Sequence, residues 1–224
     1  SPPLFLFLFL PIFLLQLLNH PGAIAGAQRF TVGDQQQPQQ FSVPAHEAKR
    51  IMSKTRPGGC TPLTYHLLEM HHDISTMLPI LQQTGQRVAM IIATDGLPTD
   101  DQGYGGKHLQ DEFIQTLRLF ERLPVWVVIR LCTDDDSVVQ FYNELDQNLE
   151  LSIEVLDDFV GEAQEVHDAN PWLTYSLLLH RLREMGYHDR VFDMLDERLL
   201  TKAEIRDFCA LLFGEEKFDG ISDP

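Results

Sequence analysis

Basic residues are scarce in this chain: 17 Lys and Arg stand against 33 Asp and Glu in 224 residues, a formal charge of −16. A balance of that sign repels phosphate backbones and anionic headgroups, which excludes nucleic acid as a partner and points to a cation or a basic protein surface. Cysteine is scarce as well. Cys60, Cys132 and Cys209 are far apart, odd in number and form no CxxC pair. A zinc knuckle, a redox dithiol and a disulfide framework are therefore excluded, and three separate thiols in a reducing, cytoplasmic compartment are expected. No serine lies in GxSxG, no glycine-rich phosphate loop occurs, and no Cys–His pair is recognisable. Paired carboxylates decide nothing in so acidic a chain, and the expectation is a protein that is not an enzyme.

Long apolar runs are confined to one place. Leu4 to Leu18 reads LFLFLFLPIFLLQLL, shorter than the about 20 residues a membrane helix needs and interrupted by Pro11. Four readings stay open: a signal peptide cleaved near Ala25-Gly26-Ala27, which would make the protein secreted; a strand feeding the core; translated non-coding sequence; or, against the length rule, a membrane anchor. The chain begins with Ser1 rather than Met, so truncation ahead of it is expected. Gly33 to Gln40 (GDQQQPQQ) is a polar loop.

Beyond that point strands and helices alternate. Ile24 to Val32 reads as a strand, Pro44 to Ser53 as a helix, and Arg56-Pro57-Gly58-Gly59 as a turn. Pro62 to Gln83 carries Leu63, Leu67, Met70, Ile74, Met77 and Leu81 at helical spacing. Arg87 to Ala93 (RVAMIIA) and Pro124 to Leu131 (PVWVVIRL) are apolar on both faces, as strands of a covered parallel sheet are. Helices are expected at Gln110–Arg122 and Asp135–Leu145, and a third strand at Leu151–Leu156. This predicts an α/β fold with a doubly wound, mainly parallel sheet over residues 23–157, after an apolar segment at 1–22. A helical extension follows at 158–214, with helices at Phe159–His167, Leu173–Met185, Asp189–Leu195 and Lys202–Phe213, and then a flexible tail at 215–224. Gly186 fits a helix stop, and Thr201 with Glu204 makes a capping box.

In such a sheet, ligands bind beyond the carboxyl ends of the strands. Two segments open onto that edge: Gly58-Gly59-Cys60-Thr61-Pro62-Leu63 and Ala93-Thr94-Asp95-Gly96. Thr61 offers a hydroxyl and Asp95 a carboxylate, hard oxygens suited to Mg²⁺ or Mn²⁺. Gly59 and Gly96 are expected to allow close backbone approach.

The order GGCTPLT, long helix, RVAMIIATDG resembles the von Willebrand factor A (vWA) family over roughly residues 24 to 157. The wider run, with LPVWVVIRLCTD and the helical tail, is similar to vWA-domain proteins of protists. That resemblance implies a Rossmann-like protein-binding module with a metal-ion-dependent adhesion site, in which Thr61 matches the second-loop threonine and Asp95 the third-loop aspartate. The family's Asp-x-Ser-x-Ser loop after the first strand is missing, so the site is truncated or degenerate. The first strand belongs in the sheet's centre, where its loss leaves backbone groups unpaired; Leu4 to Leu10 is expected to fill that slot. The alternatives to a cation-assisted binder are a metal-independent acidic scaffold and a metal-assisted enzyme subunit.

Other clusters have plainer readings. HLLEMHHD places Met70 where HExxH or HxxEH needs another residue, so His66, Glu69 and Asp73 read as the solvated face of a helix. Asp134-Asp135-Asp136 lacks calcium-loop spacing, and Thr133 or Asp134 reads as a helix cap. Leu195 to Glu204 hints at an EF-hand without its loop glycine. Trp126 and Trp172 read as core residues, with anchoring of the tail as an alternative for Trp172.

Overall fold

The structure, a computed structural model, describes residues 4–9, 12–22, 26–32, 42–56, 58–146 and 149–218. The expected Gln-rich loop at 33–40, Pro11, Ala25, Pro57 and the end of the expected tail at 219–224 lie outside the described residues. The chain divides into two compact units, Ser1–Leu156 and Asp157–Pro224.

The first unit is a seven-stranded sheet with helices. Its strands are β1 (Leu4–Phe9), β2 (Ile12–Leu17), β3 (Arg29–Val32), β4 (Ser42–Val43), β5 (Val88–Thr94), β6 (Val125–Leu131) and β7 (Ile153–Leu156). Its helices are α1 (Ala45–Lys54), α2 (Leu63–Thr84), α3 (Lys107–Arg118) with a 3-10 turn at Leu119–Arg122, and α4 (Asp136–Asp146). The strand order is β4-β3-β2-β1-β5-β6-β7.

β5, β6 and β7 run parallel, joined by helical crossovers, as the apolar runs of β5 and β6 predict; β7 (IEVL) carries Glu154. The other half of the sheet has a different character. β1 lies antiparallel to β5, with Leu4 opposite Ala93, and antiparallel to β2, with Leu4 opposite Leu17. The slot beside β5 is thus filled by Leu4–Phe9. Only two residues separate β1 from β2, a connection that permits only an antiparallel pair. β3 is antiparallel to β2, and β4 is a two-residue parallel edge.

Side-chain alternation sends the two faces of the sheet to different helices. Val88, Met90 and Ile92 of β5 and Val125, Val127 and Ile129 of β6 pack with Leu67, Met70 and Ile74 of α2, Phe113 and Leu117 of α3, and Tyr142 of α4. Leu15 is in register with Leu6, which is in register with Ile91, on the opposite face. There Leu15, Leu17 and Phe30 pack with Ala48 and Ile51 of α1. Helices therefore cover both faces of a mixed α/β sheet. Among the described residues no helix is long and apolar enough to cross a membrane, and no disulfide joins the three cysteines.

The second unit is helical: α5 (Phe159–Ala169), α6 (Leu177–Glu184), α7 (Arg190–Asp193) and α8 (Lys202–Phe213). Its core is Val166, Tyr175, Leu179, Phe192, Leu195, Leu200 and Phe208. The helix expected from Leu173 starts only at Leu177. Ser176 caps it by accepting from Leu179 N, while Leu173 N is spent on a turn back to Asn170 O at 3.0 Å. Asn170 is fully buried and completely engaged. Its Nδ2 donates to Leu195 O and Arg198 O, each at 2.8 Å, and its Oδ1 accepts from Leu200 N and from the Trp172 indole. Trp172 is consequently not a core residue: it is 41% exposed, its ring edge resting on Phe208.

Candidate functional site

β5 ends at Thr94, a fully buried residue whose hydroxyl shapes the turn beyond it. Thr94 Oγ1 donates to Gly96 O at 3.0 Å and lies 3.3 Å from Gly96 N. Tyr142, fully buried in α4, donates its phenol to the same Gly96 carbonyl at 3.0 Å. Burial raises the pKa of that phenol, so it remains a donor across the physiological range. With the turn pinned from inside, Asp95 faces outward. Its side chain is exposed, and no hydrogen bond or ion pair among the described residues engages its carboxylate.

Thr61 reaches this turn from the segment entering α2. Its amide donates to Thr99 Oγ1 at 2.7 Å, and its carbonyl accepts from Thr99 N at 3.0 Å. A methyl built on Gly96 would stand 3.6 Å from Thr61 Oγ1. The fold thus brings the Thr61 hydroxyl against the Asp95-Gly96 turn. Thr61 does not cap α2, which has no side-chain cap.

The loop after β2 supports the same segment. Asn19 Nδ2 donates to Cys60 O at 2.7 Å and to Gly58 O at 3.4 Å. Gly59 has φ +107°, and a Cβ there would fall 2.7 Å from Asn19 Nδ2. At Gly96 the nearest atom to a built Cβ is at an ordinary contact distance.

His66, Glu69 and Asp73 depart from the solvated face the spacing predicts. His66 is buried, with Nε2 donating to Leu18 O at 2.8 Å and Nδ1 3.0 Å from Glu69. Asp73 pairs with Arg29 of β3. This part of α2 is turned toward β2 and β3, which a helical wheel drawn without the sheet does not reveal. Both ring nitrogens of His66 are engaged, so no metal site forms from the trio.

The helix after β6 is capped by Asp135 rather than Thr133 or Asp134, because the helix begins only at Asp136. Asp135 Oδ1 accepts from Ser137 N at 2.9 Å and from Ser137 Oγ at 2.6 Å, and the hydroxyl bond holds this carboxylate below its ordinary pKa. Asn19, Thr94, Thr99 and Tyr142 build the edge, yet sequence patterning does not single them out. Asn19 trails an apolar run, and Tyr142 reads as plain core; only Thr94, beside Asp95, carries a local signal.

In the second unit, single oxygens of Glu162, Glu165 and Asp196 lie within 4.8 Å of one another. The cation among them is a guanidinium: Arg183, 3% exposed, donates to Glu162 at 2.8 Å and to Asp196 at 2.6 Å. The cluster is an ion-pair network and carries no metal assignment.

At the sheet edge the donors suit a hard cation in kind but fall short in number. Thr61 and Asp95 provide two oxygens and one charge, whereas Mg²⁺ demands about six ligands. β1 brings Leu4, its amino end, to this edge beside Ala93. No family model, curated protein or solved structure matches this chain.

Proposed function

We propose that this chain is a non-enzymatic protein-binding module of vWA type whose recognition surface is the carboxyl edge of β5 and β6. One observation carries the reading: the Thr61 hydroxyl sits against the Asp95-Gly96 turn, and the Asp95 carboxylate is exposed and uncommitted among the described residues. A rigid support beneath an uncommitted polar group is what recognition requires, since little ordering remains to oppose binding. Asp101, Asp134 and Asp135 are also exposed in loops of this edge, which favours a partner with a basic rim. Mg²⁺ or Mn²⁺ held by Thr61 and Asp95 would bind weakly, with water in most of its shell and a partner carboxylate completing it.

A second reading, a metal-independent acidic scaffold, is favoured by the direction of β1. That strand occupies the place beside β5 but offers no Asp-x-Ser-x-Ser turn at the edge.

Site-specific photo-crosslinking tests the proposal. A photoreactive residue replacing Gln102, exposed in the loop after Asp95, is compared with one replacing Glu121, exposed at the opposite edge. The proposal expects one discrete protein adduct from position 102, lost on Asp95→Lys, and none from position 121. Equal labelling from both positions, or an adduct indifferent to Asp95→Lys, contradicts it. Mn²⁺-induced broadening of the 61 and 95–96 amides separates the two readings: present and lost in Asp95→Asn for the cation-assisted binder, absent for the scaffold.

A further inference from the structure

The polar core of the second unit has an unbalanced charge. Glu162 is 2% exposed and Arg183 is 3% exposed. One Glu162 oxygen accepts from Arg183 Nη1 at 2.8 Å, and the other accepts from the backbone N–H of Asp157 at 2.9 Å. Arg183 Nη2 donates to Asp196 at 2.6 Å, and its Nη1 lies 3.5 Å from the Tyr175 hydroxyl. Glu165, one turn along α5 from Glu162, brings a third carboxylate within 4.8 Å of the other two. Glu162 is buried and Asp196 nearly so, at 16% side-chain exposure, whereas Glu165 lies on the exposed side of the group. With Glu162 and Asp196 both ionised against the one guanidinium, an excess negative charge remains, which the burial of Glu162 makes costly unless a proton is taken up.

We propose that the second unit is a proton-responsive element, in which the Glu162–Glu165–Asp196 group around Arg183 takes up one proton as the pH falls and the folded unit is stabilised by that uptake. The charged and titratable neighbours are Glu165 on the same helix, Arg183 from α6, Asp193 at the end of α7 with His188 paired to it, Asp196 from the segment after α7, and Asp157 ahead of α5. His180 and Glu184 form a separate buried pair on α6, 3.4 Å apart. Burial pushes Glu162 up to about 7, against the opposing pull of Arg183. Burial and the charges of Asp196 and Asp157 raise Glu165 as well. The proton belongs to the group as a whole, with Glu162 as the deepest site.

Two features connect this proton to the chain around it. Glu162 holds the amide of Asp157, the first residue of the unit. Arg183 ties α6 to the segment after α7 through Asp196. A change of charge at Glu162 therefore acts on the beginning of the unit and on its helix packing together. The direction follows from linkage. A carboxyl whose folded pKa lies above its unfolded value near 4.5 stabilises most fully below that value, and the contribution fades as the pH rises through about 7.

The test uses the full chain with carbon-13-labelled glutamate carboxyls, titrated by NMR from pH 4 to 9 alongside Glu162→Gln and Glu165→Gln. The expected result is a carboxyl resonance with its midpoint between pH 6 and 8, absent in Glu162→Gln and moved to lower pH in Glu165→Gln. Hydrogen exchange at the most protected core amides of the second unit in the wild type should be slower below that midpoint than above it, after correction for the intrinsic rate. If every glutamate titrates below pH 5.5, the proposal is overturned. It is overturned equally if the elevated midpoint survives Glu162→Gln and Glu165→Gln unchanged. The wild-type titration stands by itself should a variant fail to fold.

Discussion

At the scale of single residues, the carboxyl edge of the sheet is set by a few small groups in defined relations. Gly59 is required in a way Gly96 is not: it has a left-handed φ and no room for a Cβ beside Asn19, whereas Gly96 has ordinary space. Gly59→Ala should cost about 1–3 kcal/mol, the range for a strained backbone position, and Gly96→Ala should stay within about 0.5 kcal/mol. Urea unfolding of the pair checks both, and equal effects would contradict the geometry. Tyr142→Phe removes one of two donors to the Gly96 carbonyl while leaving Thr94 in place. A loss of about 1 kcal/mol is expected, together with faster exchange of the amides from residues 95 to 97. That Thr61 lies beside the Asp95-Gly96 turn is legible from their loops, since both lie where strands and helices of an α/β sheet open. Their supporting atoms are not legible, because Asn19 and Thr99 act through contacts about 40 residues apart in sequence.

At the scale of elements, the two units are stabilised differently. In the first unit α4 is capped by Asp135, but α1, α2 and α3 have no side-chain cap and rely on burial against the sheet. Each helix of the second unit is capped, by Asp158, Ser176, Asp189 or Thr201. Short helices depend on such bonds, because one helical turn costs more order than it returns. Thr201→Ala should destabilise the second unit by about 1 kcal/mol, seen as a lower thermal midpoint of its transition. Glu204, its partner in the capping box, is held down at about 2, first by its hydrogen bond with Arg198 and then by Thr201. Its contribution is complete above the unfolded value near 4.5 and disappears as the pH falls toward 2. The difference in midpoint between wild type and Glu204→Gln should therefore close over that interval, and a constant difference would count against the pairing. The capping box was readable from Thr201 and Glu204 because it is local. Pro79 shows the opposite case: it sits inside α2, where local rules predict a break. Met70, Ile74 and Leu81 bury the same helix on both sides of it, and tertiary packing prevails.

At the scale of the whole molecule, the parallel half of the sheet was legible from continuous apolar strands, and the antiparallel half was not. LFLFLF has no polar alternation to reveal its direction, and only the two-residue connection to Ile12 fixes it. β1 is nonetheless the strand that joins the halves, paired on both sides through Leu6 with Leu15 and Ile91. Leu6→Pro should cost about 3 kcal/mol or more by breaking a central ladder. Ser42→Pro, in the two-residue edge strand, should cost far less. Comparable urea midpoints for the two would place β1 outside the sheet's centre.

The carboxyl edge is the proposed recognition site, and the partner captured at position 102 gives the means to measure it. The decisive quantity is that partner's Kd for wild type and for Asp95→Ala, each in Mg²⁺ and in chelator, with folding verified by circular dichroism. At least a tenfold loss in Asp95→Ala, about 1.4 kcal/mol of binding free energy, is predicted. A matching loss of wild-type affinity in chelator would identify the cation-assisted form, and none the acidic scaffold. An Asp95→Ala affinity equal to wild type in both buffers would contradict the assignment of this edge as the recognition site.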